Sequence, residues 1–447
     1  MQSTQKIRLS DHFTYTRLLR FTLPPIMMMI FTSIYGVVDG FFVSNFVGAT
    51  PFAALNLIMP YIMIFSAVGF MLGSGGSALV AVTLGTGNKK RANEIFSLII
   101  YTVIAVGFVF TIVGNLLVTR VALFLGATEE LLPYCVLYAR INLFGITAFM
   151  LQNAFQTFLI TAEKPRLGLQ VTLAAGFTNM ILDGLFMGVF HWGLGSAAAA
   201  TIISQCVGGI IPLVYFLRPN SSRLRLGRTH FMGEVLTKSA GNGSSEFLSN
   251  ISVSVASMMY NFQLMKYIGQ NGVAAYGIIM YTNFAFIGMF FGYSMGASPI
   301  TGYDLGSANY GELKNVYDKS IRIVSVAGFI MTAASILLAH PLAMIFAGYD
   351  PDLLQLTTKA IRIYSLAYIF MGINIYGSAF FTSMNNGFIS ALISVLRTLV
   401  FQVAAVLIMP ALFGIDGIWS SIIIANVLTL IVTVVCFVRY RDVYHYA

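Results

Sequence analysis

Residues 18–46 read LLRFTLPPIMMMIFTSIYGVVDGFFVSNF. The run is almost wholly apolar and longer than the about 20 residues an α-helix needs to cross a hydrocarbon layer. One carboxylate, Asp39, stands inside it. A charge at that depth costs at least about 2.5 kcal/mol and is tolerated where it faces a bundle interior or a cavity. Asp39 is therefore read as a group that binds a cation or a proton. The plainer alternative is a carboxylate that reaches the interface near the outer end of its helix.

The rest of the chain has the same character. Of its 447 residues 57% are hydrophobic and 9% charged, against about 25% charged in a soluble domain. Such a chain cannot cover itself with polar surface, so it is an all-α integral membrane protein. Twelve apolar spans are expected, at 18–46, 52–82, 94–118, 134–160, 167–190, 194–217, 236–263, 273–302, 319–340, 360–383, 388–410 and 416–438. The net charge of +9 could suggest nucleic acid. With the N-terminus in the cytoplasm, however, 19 of the 25 lysines and arginines gather on one side. That is the positive-inside bias of a multi-pass protein of the cytoplasmic (inner) membrane with both termini inside, and it leaves no role for nucleic acid. Cys135, Cys206 and Cys436 lie far apart in apolar stretches, with neither disulfide nor metal spacing. No cleavable signal peptide is expected.

The chain also repeats. Shifted by 221 residues, Gly48, Gly75, Gly85, Asn88, Asn153 and Gly193 fall on Gly269, Gly296, Gly306, Asn309, Asn374 and Gly414. Two homologous six-helix halves follow: an N-lobe over 1–217, a solvated basic linker over 218–235, and a C-lobe over 236–447. Six is even, so the copies share one orientation, as parallel repeats about an axis near the membrane normal with a substrate cavity between them. The halves differ in chemistry. Asp39 falls on Tyr260, Asp183 on Ala404 and Thr201 on Ile422. The ionisable machinery is thus expected in the first half.

Asn179 and Asp183, four residues apart, share a face of the fifth span. Asp183 is about sixteen residues, or roughly 24 Å, into that span. Asp39 and Thr201 reach a similar depth, so two carboxylates, an amide oxygen and a hydroxyl can converge. Oxygen ligands alone suit a hard cation such as sodium, placed at Asp39, Asn179, Asp183 and Thr201. Two carboxylates in an apolar setting also raise each other's proton affinity, so a proton fits equally. The alternative is a polar network that only fixes helix packing. Pro24 and Pro25 remove donors and are expected to kink the first helix below Asp39. Methionines and aromatics suit a surface that accepts varied amphipathic ligands. Met150, Phe155, Met180, Met187, Tyr260, Tyr281 and Tyr376 are candidates for the cavity wall, as is Glu246, the acid of the seventh span. The histidines, His12 among them, read as surface groups. GSGGS (73–77) and GTGNKK (85–90) lack the GK[ST] spacing of a phosphate loop.

The run LPPIMMMIFTSIYGVVDGFFVSNFVGATPFAAL and the segment GSGGSALVAVTLGTGNKKRANEIF resemble the opening and the helix 2–3 junction of MATE (multidrug and toxic compound extrusion) transporters. The likeness extends over the whole chain. Asp39, Asn179, Asp183 and Thr201 stand where the DinF- and MepA-like branch places its cation or proton site, with Asn153 and Tyr35 near positions linked to it. The resemblance implies a secondary-active multidrug exporter, not an enzyme. It would antiport organic, mostly cationic, compounds against protons or sodium and confer antibiotic resistance, as a monomer without cofactor. Another branch of the family relies on a helix-7 glutamate and further C-lobe acids; here no acid besides Glu246 is expected in the interior of a C-lobe span. The rival reading is a flippase for a lipid-linked oligosaccharide. Such a protein would line its cavity with several basic residues, whereas this chain offers chiefly Arg397. A passive channel or receptor is disfavoured by the paired carboxylates and the parallel repeats.

Overall fold

The computed structural model describes residues 7–348 and 350–446. Lipid offers no partners to backbone N–H and C=O groups, so a chain this apolar satisfies them within helices. α1 (Tyr15–Phe46), α2 (Ala49–Gly85) and α3 (Lys89–Phe124) are single long helices. α4 (Leu132–Phe144) and α5 (Ile146–Thr161) form one span bent by 57°. The bend is at Gly145, where a Cβ would lie 2.6 Å from Ile202. α6 (Pro165–Asp183) runs into a π-helical turn, Gly184–Val189, and α7 (Leu194–Leu217) completes the first half. α8 (Gly233–Tyr267), α9 (Gln270–Gly306) and α10 (Tyr310–Ala347) repeat α1 to α3. α11 (Pro351–Ser365) and α12 (Tyr368–Ser383) repeat the bent span, at 52°. α13 (Gly387–Val395) passes through a second π-helical turn, Leu396–Phe401, into α14 (Gln402–Tyr444).

The last run, 387–444, holds two spans. Gly414 breaks it with φ 59° and ψ −137°. Beyond it the chain doubles back, so that Asn386 Nδ2 at the start of α13 donates to Tyr444 Oη at the end of α14, 3.1 Å away. Counting α8 and dividing 387–444 at Gly414, the described residues form twelve helical spans, the number expected from the sequence. Helices of 32 to 38 residues rise about 48–57 Å, past a hydrocarbon layer of about 30 Å. Their ends project as capped polar turns, which is why α3 and α10 start well before the expected spans. Asn88 and Asn309 cap them by accepting from the N–H of Arg91 and Glu312.

The repeat is structural. Left-handed glycines recur at Gly48 and Gly269 and at Gly193 and Gly414, each pair 221 residues apart. Contacts between the halves obey the same shift. A Cβ on Gly75 of α2 would lie 2.0 Å from Ser239 O of α8, and one on Gly296 of α9 would lie 2.9 Å from Thr22 of α1. Gly243 of α8, 221 positions after Thr22, would meet Met71 O at 1.9 Å. Where α2 crosses α9, Gly85 would meet Tyr303 O at 2.2 Å and Gly306 would meet Val82 O at 2.0 Å. All these approaches lie in the half of the bundle nearest the basic loops, here the basic end. Towards the far end Gly36 and Gly277 have nothing within 4 Å of a Cβ. The two lobes thus touch backbone to backbone at the basic end.

Chain order and packing diverge at two places. Leu9, Phe13, Leu18 and Phe21, assigned to the first lobe by position, bury against Tyr293, Ala297 and Phe380 of the second. The 218–235 segment, expected as a solvated linker, is instead packed: Leu224 and Leu226 join the first-lobe core. Its backbone bonds to α3, Arg225 N to Asn93 Oδ1 at 2.8 Å and Gly227 N to Ser97 Oγ at 3.0 Å. The leucines at alternate positions explain this, since buried they recover hydrophobic free energy that a free linker would forgo.

The N-terminal segment straps the two lobes together at the basic end. Leu9 N donates to Glu163 Oε1 at 2.9 Å, at the α5–α6 junction of the first lobe. Phe13 N donates to Glu312 Oε1 at 2.8 Å, on α10 of the second. His12, read as a plain surface residue, has an exposed ring, yet its Nδ1 pairs with Glu312 Oε2 at 2.7 Å. Arg223 adds a bond to Glu163 Oε1 at 2.9 Å and stands over the Tyr303 ring. Glu312→Ala orphans the buried Phe13 N–H, a loss of about 1–3 kcal/mol, enough to speed opening of the strap about tenfold. Trypsin should then cut after Arg8 and Arg17 about tenfold faster than in the unmodified protein. Equal cleavage rates would mean that Glu312 does not hold the strap.

Candidate functional site

α1 and α6 run side by side. Gly176 lets Phe31 and Tyr35 of α1 approach to 2.4 and 3.1 Å of where a Cβ would stand, and Gly184 faces Phe42 at 3.7 Å. This register brings Asp39 near Asp183, about 27 Å along α6 from the basic end, close enough for the two carboxyls to feel each other's charge. Asp183 is fully buried and Asn179, one turn before it, nearly so. The π-helical turn begins at the next residue, Gly184. Such turns interrupt the regular ladder and recur at functional sites.

The pair has few protein partners. Among the described residues no protein donor reaches Asp39 Oδ1 or either oxygen of Asp183, and the Asn179 Nδ2 is likewise unpaired. Buried charges are normally paired, so this geometry invites a proton or a hard cation. Both fit: adjoining carboxyls can share one proton, and two carboxyls with an amide carbonyl offer oxygen ligands to sodium. Tyr35 is close enough to feel the charge of Asp39. Thr201 and Asn153 are not bonded to the pair among the described residues. The Thr201 hydroxyl donates to Ala197 O of its own helix at 3.0 Å, and Asn153 Nδ2 to Ser66 O at 3.3 Å. Sequence reasoning missed Tyr138 of α4, which is 1% exposed and feels both carboxylates. Tyr138 and Asn142, a polar i,i+4 pair in an apolar span, were the available signal.

A second feature is a cleft between the lobes. Its polar wall is Ser74 and Ser77 of α2, Glu246 of α8, Ser294 and Ser298 of α9, and Arg397 of the second π-helical turn. Of the eight residues expected at a substrate cavity, Glu246 alone lines this one. Met150, Phe155 and Met187 are buried in the first-lobe core, Phe155 stacked on Phe216 at 5.7 Å. Met180 is half-buried on α6. Tyr260 is buried in the second lobe with its hydroxyl 2.7 Å from Ser421 Oγ. Tyr376 packs on Tyr293 and Phe380. Tyr281 is exposed, its hydroxyl beside Gly40 of α1. Buried packing explains the misses: these side chains fill the lobe cores, and other residues, serines among them, line the cleft. The second half also carries more acid than expected. Asp304, beyond the expected 273–302 span, is 1% exposed because α9 extends to Gly306.

The family model MatE matches residues 24–185 and 247–408, once in each half. The chain belongs to the MatE family. Curated relatives agree over their length. The multidrug export protein MepA of Staphylococcus aureus (strain MSSA476) is 23% identical over 435 residues, covering 96% of this chain and 94% of the relative. That of Staphylococcus haemolyticus (strain JCSC1435) is 22% identical over 438 residues, 95% and 94%. Among solved structures the fold is similar to an outward-facing conformation of a multidrug resistance MATE family transporter of the MOP superfamily. The TM-score is 0.93, with 22% identity and all of both chains covered. The matched 24–185 segment spans Asp39, Asn179 and Asp183, so this MatE-family chain keeps its carboxyl pair inside the first family repeat.

Proposed function

We propose that this MatE-family protein is a secondary-active exporter of amphipathic small molecules, driven by inward flow of a cation through the Asp39–Asp183 pair. The observation that carries the reading is the carboxyl pair inside the first lobe, with Asp39 Oδ1 and both Asp183 oxygens buried and without a donor among the described residues. A proton is the ion that two adjoining carboxyls satisfy without further ligands; sodium would take the same oxygens and the Asn179 carbonyl. Cation binding neutralises the pair, changes how α1 and α6 pack, and through α1 biases which end of the cavity opens. The basic-residue bias puts the closed end in the cytoplasm. The tightest backbone approaches between the lobes lie at that end, which favours opening at the other. The protein is placed in the bacterial cytoplasmic membrane as a monomer in contact with lipid. The flippase reading is disfavoured by a cavity with one arginine facing one glutamate, where a lipid-linked pyrophosphate calls for several cations.

Everted vesicles test this. Adding ethidium to vesicles holding a proton gradient should dissipate the gradient and load the dye, and a sodium gradient alone should not support loading. Loading that follows sodium at fixed pH assigns sodium to the pair. Dye movement with neither gradient coupled removes the antiport reading.

A further inference from the structure

Glu246 and Arg397 face one cavity from two elements of the second lobe, α8 and the π-helical turn Leu396–Phe401. They are near enough to feel each other's charge. Even so, among the described residues they form no ion pair within 4.0 Å, and neither side chain has a protein hydrogen-bond partner. Arg397 Nη1 is buried with its donors unused, as is Ser294 Oγ on the same wall. Two other wall hydroxyls are committed to backbone, Ser77 Oγ donating to Ser74 O at 2.9 Å and Ser298 Oγ to Ala379 O at 3.2 Å. Inside a protein two opposite charges gain most by collapsing onto each other. Held apart over a cleft, they leave a cationic prong and an anionic prong for a third party. Phe70, Phe291 and Met295 supply an apolar wall beside them.

We propose that Glu246 and Arg397 form a two-pronged site for amphipathic zwitterions. Glu246 receives an ammonium, and Arg397 receives a carboxylate or phosphate through the paired N–H donors that suit planar oxyanions. The apolar body of the ligand lies on Phe70, Phe291 and Met295. A purely cationic ligand leaves Arg397 unpaired and repels it; a purely anionic one does the same to Glu246. The site therefore ranks ligands by carrying both charges. Its part in transport rests on the export reading above; binding itself does not.

The test is a fluorescence titration of the purified protein in dodecylmaltoside with three matched probes. Nε-dansyl-lysine carries both charges, its methyl ester only the cation, and its Nα-acetyl derivative only the anion. The unmodified protein should bind the first at least about tenfold tighter than either other, one charge-assisted pair being worth that much. Arg397→Gln should erase the preference over the ester, and Glu246→Gln the preference over the acetyl derivative. Short-chain phosphatidylethanolamine should displace the probe if a lipid head group is the natural ligand; no displacement assigns the site to soluble amphipaths. Equal binding of all three probes by the unmodified protein overturns the proposal, as does a preference that survives both substitutions. If a variant does not fold, the ranking by the unmodified protein decides alone. Ethidium-driven gradient dissipation is measured on the same preparation. Coupled transport without zwitterion preference sinks this site and leaves the exporter standing, whereas preference without coupled transport does the reverse.

Discussion

Asp39→Asn and Asp183→Asn should each reduce gradient-driven ethidium export to the level of vesicles lacking the protein, while ethidium still binds and protein yield is unchanged. The reason is the unusual poverty of the pair's surroundings. Among the described residues no protein donor reaches Asp39 Oδ1 or the two oxygens of Asp183, so gain or loss of a cation is the change open to the site. An asparagine is the same size and can donate its amide hydrogens to the facing carboxylate. That bond replaces the bound cation permanently, and the lobe is held in one of its two states. An ion-driven cycle with no ion step has no source of work, so the loss should exceed the about 1–3 kcal/mol of a typical coupling energy. Export by the unmodified protein should rise as the far side is acidified relative to the basic side, because protons then flow inward through the pair. The variants should show a flat profile. Thr201→Ala and Asn153→Ala should cost far less, since those side chains bond to Ala197 O and Ser66 O. Asparagine variants that export normally, with the same pH profile, would mean that the driving ion takes another route.

The second large effect is expected at the crossing of α2 and α8. A Cβ on Gly243 would stand 1.9 Å from Met71 O and 3.0 Å from Gly75 N. Both neighbours are backbone, so no rotamer change makes room and the helices must separate. Overpacking of this kind costs typically about 1–3 kcal/mol. Here the strain lies between lobes and not within one, so it falls on the closed basic end and not on folding of either lobe. Gly243→Val should therefore shift the population about five- to 150-fold towards opening at the basic end. In a background without Cys135, Cys206 and Cys436, Ser77→Cys reports the change. An impermeant thiol reagent applied from the basic side should label it at least about tenfold faster in the Gly243→Val protein, and export should fall because the cycle stalls. Labelling and export both unchanged would mean the lobes do not close through this contact.

Much of this protein is legible in its sequence because lipid is a severe solvent. Backbone groups must be bonded within each span, so long apolar runs are helical, and the basic loops set the axis along which they run. The 221-residue shift, read from scattered glycines and asparagines, is repeated in left-handed turns and helix caps because those positions are dictated by local backbone geometry. Asp39 and Asp183 were likewise visible, since a carboxylate inside an apolar run is costly wherever it sits. Tertiary structure decided what depends on contact between distant segments. It buried Met150, Phe155, Tyr260 and Tyr376 in lobe cores, because packing selects large apolar side chains for interiors, and lined the cleft with other residues, serines among them. It drew the N-terminal strap onto Glu163 and Glu312 and packed the central linker against α3. It also set Arg397, through a π-helical turn, across a cleft from Glu246, although 151 residues of chain separate the two.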